Sequence, residues 1–192
     1  MSYAAKIIRV HDLTPHPNAD RLQLLRYHGM QFVVGVDVTR EQLVALFPVD
    51  GQLSEEMCQL NNLYRHADKN VNSHLAGFFE DSRKIRAQKF RGELSDGFVA
   101  GLETLLWTGV TPDQLTEGLE FTALNGKLVC DKYLTPATRQ RGQSTQAHAL
   151  KDITYYLPKH FDTEQLAYNL DKLPNAGFVV LTENCHGSSA RT

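Results

Sequence analysis

A chain of 192 residues with 42% hydrophobic and 22% charged residues has the balance of a soluble globular protein, with room for one large domain or an ordinary domain plus an appendage. No stretch approaches the roughly eighteen consecutive apolar residues of a membrane span, and the N-terminal MSYAAKIIRVHDL lacks a signal-cleavage pattern, which predicts a cytoplasmic protein. The net charge of −2 gives no overall bias toward nucleic acid, and Cys58, Cys130 and Cys185 lie too far apart for a zinc pattern or a disulfide framework, so reduced thiols are expected.

In chain order, AKIIRV predicts a first strand. HDLTPHPNADR reads as a loop, because Pro15 and Pro17 deny a continuing ladder. LQLLRY and QFVVGV flank His28–Gly29–Met30, a hairpin connection in which Gly29 is free to take positive φ. LVALFP is another short apolar run, closed by Pro48. SEEMCQLNNLYRH has helical spacing at Met57, Leu60 and Tyr64, with Ser54 placed to cap it. Residues 65–80 form a polar insertion expected as a long loop, in which His66 and His74 read as surface residues, not metal ligands.

RKIRAQKF alternates as a strand, with Ile85, Ala87 and the stem of Lys89 on one face and Arg86, Gln88 and Phe90 on the other. RGELSDGFVAGL follows as a turn into a further strand, and FTALNGKLVC predicts a hairpin at Asn125–Gly126. Several short strands with one helix and one long loop suggest a small β-barrel. From Asp131 to Lys151 the composition turns to Thr, Gln, Arg and Ala without apolar periodicity, the texture of a linker. HFDTEQLAYNLDKLP then predicts a helix, with Asp162 and Gln165 as a capping box and Pro174 as its stop. GFVVLT predicts a buried strand that delivers a polar cluster from Glu183 to Arg191.

The stretch SRKIRAQKFRG carries Arg83, Lys84, Arg86, Lys89 and Arg91 with no acid among them, a local basic face that the net charge conceals. Two readings stay open: a solvated strand face, or a surface that tracks a phosphate backbone. Phe90 and Phe98 read as core residues and not as stacking platforms.

VLTENCHGSSAR resembles the first motif of ATP-dependent RNA ligases, Thr-Glu-Lys-x-His-Gly-Thr/Ser-Ser-x-Arg, and HFDTEQLAYNL is similar to the helix that precedes it. LFPVDGQLSEE and RKIRAQKFRGELSDGF are similar to the N-terminal OB-fold region of a bacterial and phage subgroup. The resemblance implies a mainly β fold: an OB-fold-like β-barrel with a helical and loop insertion over residues 1–130, a linker at 131–151, and the start of an α+β nucleotidyltransferase (adenylyltransferase) domain at 152–192. It implies ATP and Mg2+ as cofactors and RNA, as nicked duplex or free ends, as partner. The chemistry implied has three steps: a lysine amine attacks the α-phosphate of ATP, AMP passes to an RNA 5′-phosphate, and a 3′-hydroxyl displaces it.

Asn184 stands where that motif has its nucleophilic lysine. Its amide nitrogen shares its lone pair with the carbonyl and is not a nucleophile. Cys185 would point to the opposite face of the strand, and Lys172 does not match the motif. The first step is therefore not expected by the family's route. The resemblance places Glu183 near the adenine, His186 and Gly187 in the turn against the nucleotide, and Arg191 toward the ribose or phosphates, while Arg83, Lys84, Arg86, Lys89 and Arg91 would hold RNA. It assigns no residue to a metal and no protein partner, and the later motifs find no place before Thr192, so a fragment or truncated product of a longer ligase is expected. A second resemblance covers residues 7–36: HPNADRLQLLRY followed by FVVGV is similar to the opening of tRNA-binding OB domains attached to some aminoacyl-tRNA synthetases, which implies a non-catalytic RNA-binding module.

Overall fold

LVALFP places apolar residues at consecutive positions, the signature of a strand covered on both faces. The computed structural model, which describes residues 3–135, makes it the centre of a mainly β fold. The strands are β1 (Ala5–Arg9), β2 (Asp12–Pro15), β3 (Leu22–Tyr27), β4 (Met30–Gly35), β5 (Leu43–Pro48) and β6 (Gly51–Leu53). After helix α1 (Glu55–Leu60) come β7 (Gln88–Phe90), β8 (Glu93–Ser95) and β9 (Gly97–Gly101). Two 3-10 helices, Leu102–Thr108 and Pro112–Gln114, then lead to β10 (Glu120–Phe121), β11 (Ala123–Leu124), β12 (Lys127–Leu128) and β13 (Cys130–Lys132).

The main sheet has the order β10-β1-β5-β9 and a second sheet the order β2-β3-β4, while β6 pairs with β13, β7 with β8 and β11 with β12. Registers Ile7↔Ala45, Ala45↔Ala100 and Phe47↔Phe98 put these residues on one face of the main sheet. There they join a core cluster with Met57, Leu105 and Phe121. Ile8, Val44 and Leu46, equally buried, lie on the opposite face. Each fully buried Leu, Ile or Phe contributes about 1.5–3 kcal/mol of transfer free energy, so covering β5 on both sides makes it the most stabilising strand.

The hairpin β3–β4 turns at His28 (φ 47°) and Gly29 (φ 82°), and β11–β12 turns at Asn125 (φ 48°) and Gly126 (φ 76°). Two successive positive φ values are the type I′ geometry that matches strand twist. Ser54 caps α1 by accepting a hydrogen bond from the Met57 N–H at 3.1 Å. Beside β4, the Ser95–Asp96 corner takes over the ladder: the Asp96 N–H donates to the Gln31 carbonyl at 2.8 Å, and the Val33 N–H donates to Ser95 Oγ at 3.1 Å. β4 thus has its edge bonds met by the segment that enters β9.

Several details differ from the sequence reading. HDLTPHPNADR contains β2, because β2 is an edge strand and Pro15 sits at its end, where no ladder donor is needed. The helix stops at Leu60, not near Tyr64. In RKIRAQKF only Gln88–Phe90 is a strand. Residues 83–87 instead cross β6: the Ile85 N–H donates to the Gly51 carbonyl at 2.8 Å and Ile85 is buried, whereas Ala87 and Lys89 are exposed. β13 runs to Lys132, and the Tyr133 N–H donates to the Asp50 carbonyl at 2.9 Å, so regular structure enters the stretch read as linker. The helix and strand expected after Lys151, and the cluster from Glu183 to Arg191, lie outside the described residues. Among the described residues no helix is long and apolar enough to cross a membrane.

Candidate nucleic-acid interface

The polar insertion over residues 65–80, expected as a long loop, is organised by one buried amide. Asn70 accepts from the Tyr64 N–H at 3.0 Å and donates to the carbonyls of Tyr64 at 2.9 Å and Leu75 at 2.6 Å. Gly77 lets the loop close, since a Cβ there would collide with the Leu63 backbone. Its N–H donates to the Tyr64 carbonyl at 2.7 Å, and Phe79 bonds back to Leu63 at 2.9 Å. The outcome is that Phe78 and Phe79, hidden in sequence by polar neighbours, are delivered against the main sheet.

Between β4, β9 and the segment 78–90 lies a groove of about 240 Å³. Its apolar lining includes Val33, Phe78, Phe79, Phe90, Phe98 and Val99, and its polar lining includes Asp37, Lys84, Arg86 and Gln88. The rings form a continuous array: Phe98 lies 5.7 Å from Phe47, 5.1 Å from Phe79 in an edge-on contact, and 5.5 Å from Phe78. Phe98 therefore joins the core, as its sequence context suggested. Phe90 is half-buried and faces the groove.

The five basic residues do not share one strand face. Arg83 adopts φ 50°, and its guanidinium donates to the Leu53 carbonyl at 3.1 Å and to the Tyr64 hydroxyl at 3.4 Å. Burial raises the Tyr64 hydroxyl above its ordinary value, and Arg83 partly offsets that. Lys84 places its ammonium 4.7 Å from the Tyr133 ring centre, and Arg86 bonds Glu80 at 2.8 Å. Lys84 and Arg86 both line the groove. Lys89 and Arg91 lie exposed on the β7–β8 hairpin, without an ion pair among the described residues. The run is thus divided into one structural cation, two at the groove and two on the hairpin.

That hairpin is clamped by residues the sequence reading passed over. His16 is 5% exposed, and its Nδ1 lies 3.0 Å from the Asn18 N–H, which can only donate. Nε2 must then carry the proton, and it donates to the Phe90 carbonyl at 3.0 Å. Asn18 Nδ2 donates to the Arg91 carbonyl at 3.1 Å. The loop after β2 and the hairpin after the insertion are therefore joined side by side. The His-Pro-Asn tripeptide was visible in the sequence, but its partners lie more than 70 residues away.

Cys58 and Cys130 are free thiols in the core, and burial pushes both up to about 12, which leaves them unreactive near neutral pH. His66 and His74 are exposed, and the described residues contain no group of three or more His, Cys, Asp or Glu able to hold a metal. The nucleotide-contacting candidates Glu183, His186, Gly187 and Arg191 fall outside the described residues. A lysyl-adenylate does not fit position 184, because an asparagine amide cannot form that phosphoramidate.

No protein-family model matches the chain, and no curated protein does. Solved structures of a Naegleria gruberi RNA ligase are similar to it. One lysine-to-alanine variant with ATP and Mn has a TM-score of 0.49 at 17% identity, over 71% of this chain and 37% of that one. An apo aspartate-to-alanine variant also has a TM-score of 0.49 at 17% identity, over 70% and 36%. The chain spans little more than a third of those structures' length.

Proposed function

We propose that residues 3–135 form the RNA-handling domain of a protein of the ATP-dependent RNA ligase type. The observation that carries this reading is the groove in which Lys84 and Arg86 stand beside Phe78, Phe90 and Phe98. Cations for phosphates next to aromatic faces for bases are the combination that single-stranded nucleic acid requires. In this reading the strands β1 with β2, β3, β4, β5 and β9 are the five strands of an OB-fold. The loops that OB-folds use for oligonucleotides, after the first strand and before the last, are then the His16–Asn18 loop and the insertion carrying the groove. The clamp between them favours a shared binding surface.

The resemblance of VLTENCHGSSAR supplies the remainder: a whole protein of this type would join 5′-phosphate and 3′-hydroxyl ends with ATP and Mg2+, the nucleotide lying at Glu183, His186, Gly187 and Arg191. Asn184 favours a second reading for the chain as it stands, a non-catalytic RNA-binding module of OB type. Two measurements test these readings. Binding of a short RNA over a range of salt is expected to weaken in Lys84→Ala and Arg86→Ala, with the salt slope falling by about 0.7 per lost phosphate contact. Unchanged affinity and slope would refute the RNA reading. Labelling with α-labelled ATP is expected to be absent in the chain, and covalent uptake of label would refute the reading of Asn184 as a lost nucleophile.

A further inference from the structure

We infer that the groove between β4, β9 and the segment 78–90 receives a single unpaired RNA base, stacked on the Phe78 ring, with its phosphate against Lys84 and Arg86. This rests on the RNA-handling reading and names the part of the RNA that the domain selects.

The first ground is the grading of the aromatic array. Phe47 is fully buried, Phe79 is 4% exposed, and Phe78, the outermost ring, is 37% exposed. Phe79 supports Phe78 from behind, with ring centres 4.3 Å apart and planes tilted by 32°. An aromatic face held at the surface by a core residue is pre-organised for stacking, and a ligand that covers it gains the burial of that face. The second ground is size. At about 240 Å³ the groove falls below the roughly 300–1,000 Å³ of pockets for drug-sized ligands and suits one planar ring.

The third ground is polar complementarity. Two cations and one carboxylate, Asp37, line the groove, and the Glu80 contact at 2.8 Å holds the Arg86 guanidinium in place. Gln88 and Asp37 make no side-chain hydrogen bond among the described residues, which leaves an amide and a carboxylate for a base edge. A base inside a helix already has both faces covered by its neighbours, so only a splayed base can reach the Phe78 ring.

The test uses the full chain and two blunt-ended RNA duplexes that differ by one unpaired, bulged 2-aminopurine. Stacking on one aromatic ring predicts that the bulged duplex binds roughly five- to 150-fold more tightly, with its fluorescence quenched on binding. Phe78→Ala is expected to abolish both the quenching and the preference for the bulged duplex over the fully paired one. Phe78→Leu, which keeps an apolar side chain in place of the ring, separates loss of stacking from unfolding: it is expected to unfold in urea as the parent does and still to lose the quenching. If Phe78→Ala keeps both quenching and preference, the base-pocket inference is overturned and the RNA-handling reading survives. If the unmodified chain binds neither duplex, the reading itself fails.

Discussion

Replacing Asn70 by Ala removes three hydrogen bonds at once, and their fates differ. The Tyr64 carbonyl keeps the Gly77 N–H at 2.7 Å, so it stays satisfied. The Tyr64 N–H, bonded only to Asn70 Oδ1 at 3.0 Å, becomes an orphan inside the loop. A buried donor without a partner costs about 1–3 kcal/mol, and the bonds lost to Tyr64 and Leu75 carbonyls add about 0.5–1.5 kcal/mol each. The expected destabilisation is about 2–6 kcal/mol, read from urea unfolding followed by the fluorescence of Trp107, the chain's one tryptophan. Asn70→Asp sharpens the test. Its first oxygen still accepts from Tyr64, but the second turns toward two carbonyls that Nδ2 now satisfies. Such a carboxyl titrates above its unfolded value, because neutralisation lets it donate. The folded state then binds more protons than the unfolded state, so this variant recovers stability as pH falls toward the carboxyl's folded value. An Ala variant within 0.5 kcal/mol of the parent, or an Asp variant with no such recovery, would refute the role given to Asn70.

Gly97 has φ 154°, and a Cβ there would collide with the Phe47 carbonyl and lie 3.1 Å from the Phe32 ring, so Gly97→Ala should cost about 1–3 kcal/mol in the same assay. At Gly101 a Cβ meets only the carboxylate end of exposed Glu103, and Gly101→Ala should stay within about 0.5 kcal/mol. Cys58 and Cys130 should resist iodoacetamide at pH 8 and react after unfolding, as peptide mass mapping would show. Since the unfolded thiols ionise near 9 and the folded ones near 12, the folded chain holds more protons in that window, and its stability should fall as pH rises through it. Arg83→Ala should lower stability by about 1.5–3 kcal/mol through its charged hydrogen bond to Leu53, whereas Lys89→Ala should leave stability within about 0.5 kcal/mol.

What the sequence disclosed was the local part of the fold. AKIIR, LQLLRY and LVALFP are legible as strands because they are short apolar runs bounded by turn residues, too short for a helix of ordinary length, and the Asn125–Gly126 turn and the Ser54 cap follow from single-residue chemistry. β2 was hidden by its prolines, which an edge strand tolerates. The basic run was legible as charge, but not its division. Arg83 turns inward because of a left-handed backbone and a carbonyl 30 residues away, and no local pattern encodes that. The groove was illegible for the same reason: it needs Asn70 to fold the insertion and His16 to hold the hairpin, both through distant partners. Phe78 was lost among polar neighbours, although an adjacent aromatic pair in a polar loop was the available signal.

The most direct measurement is photo-crosslinking of the full chain to a blunt-ended RNA duplex carrying 5-iodouridine at its one bulged position, followed by peptide mapping. The crosslink is expected within residues 78–90, at Phe78 or Phe90. Efficient binding with crosslinks confined to other segments would contradict the groove as the place where this domain meets RNA.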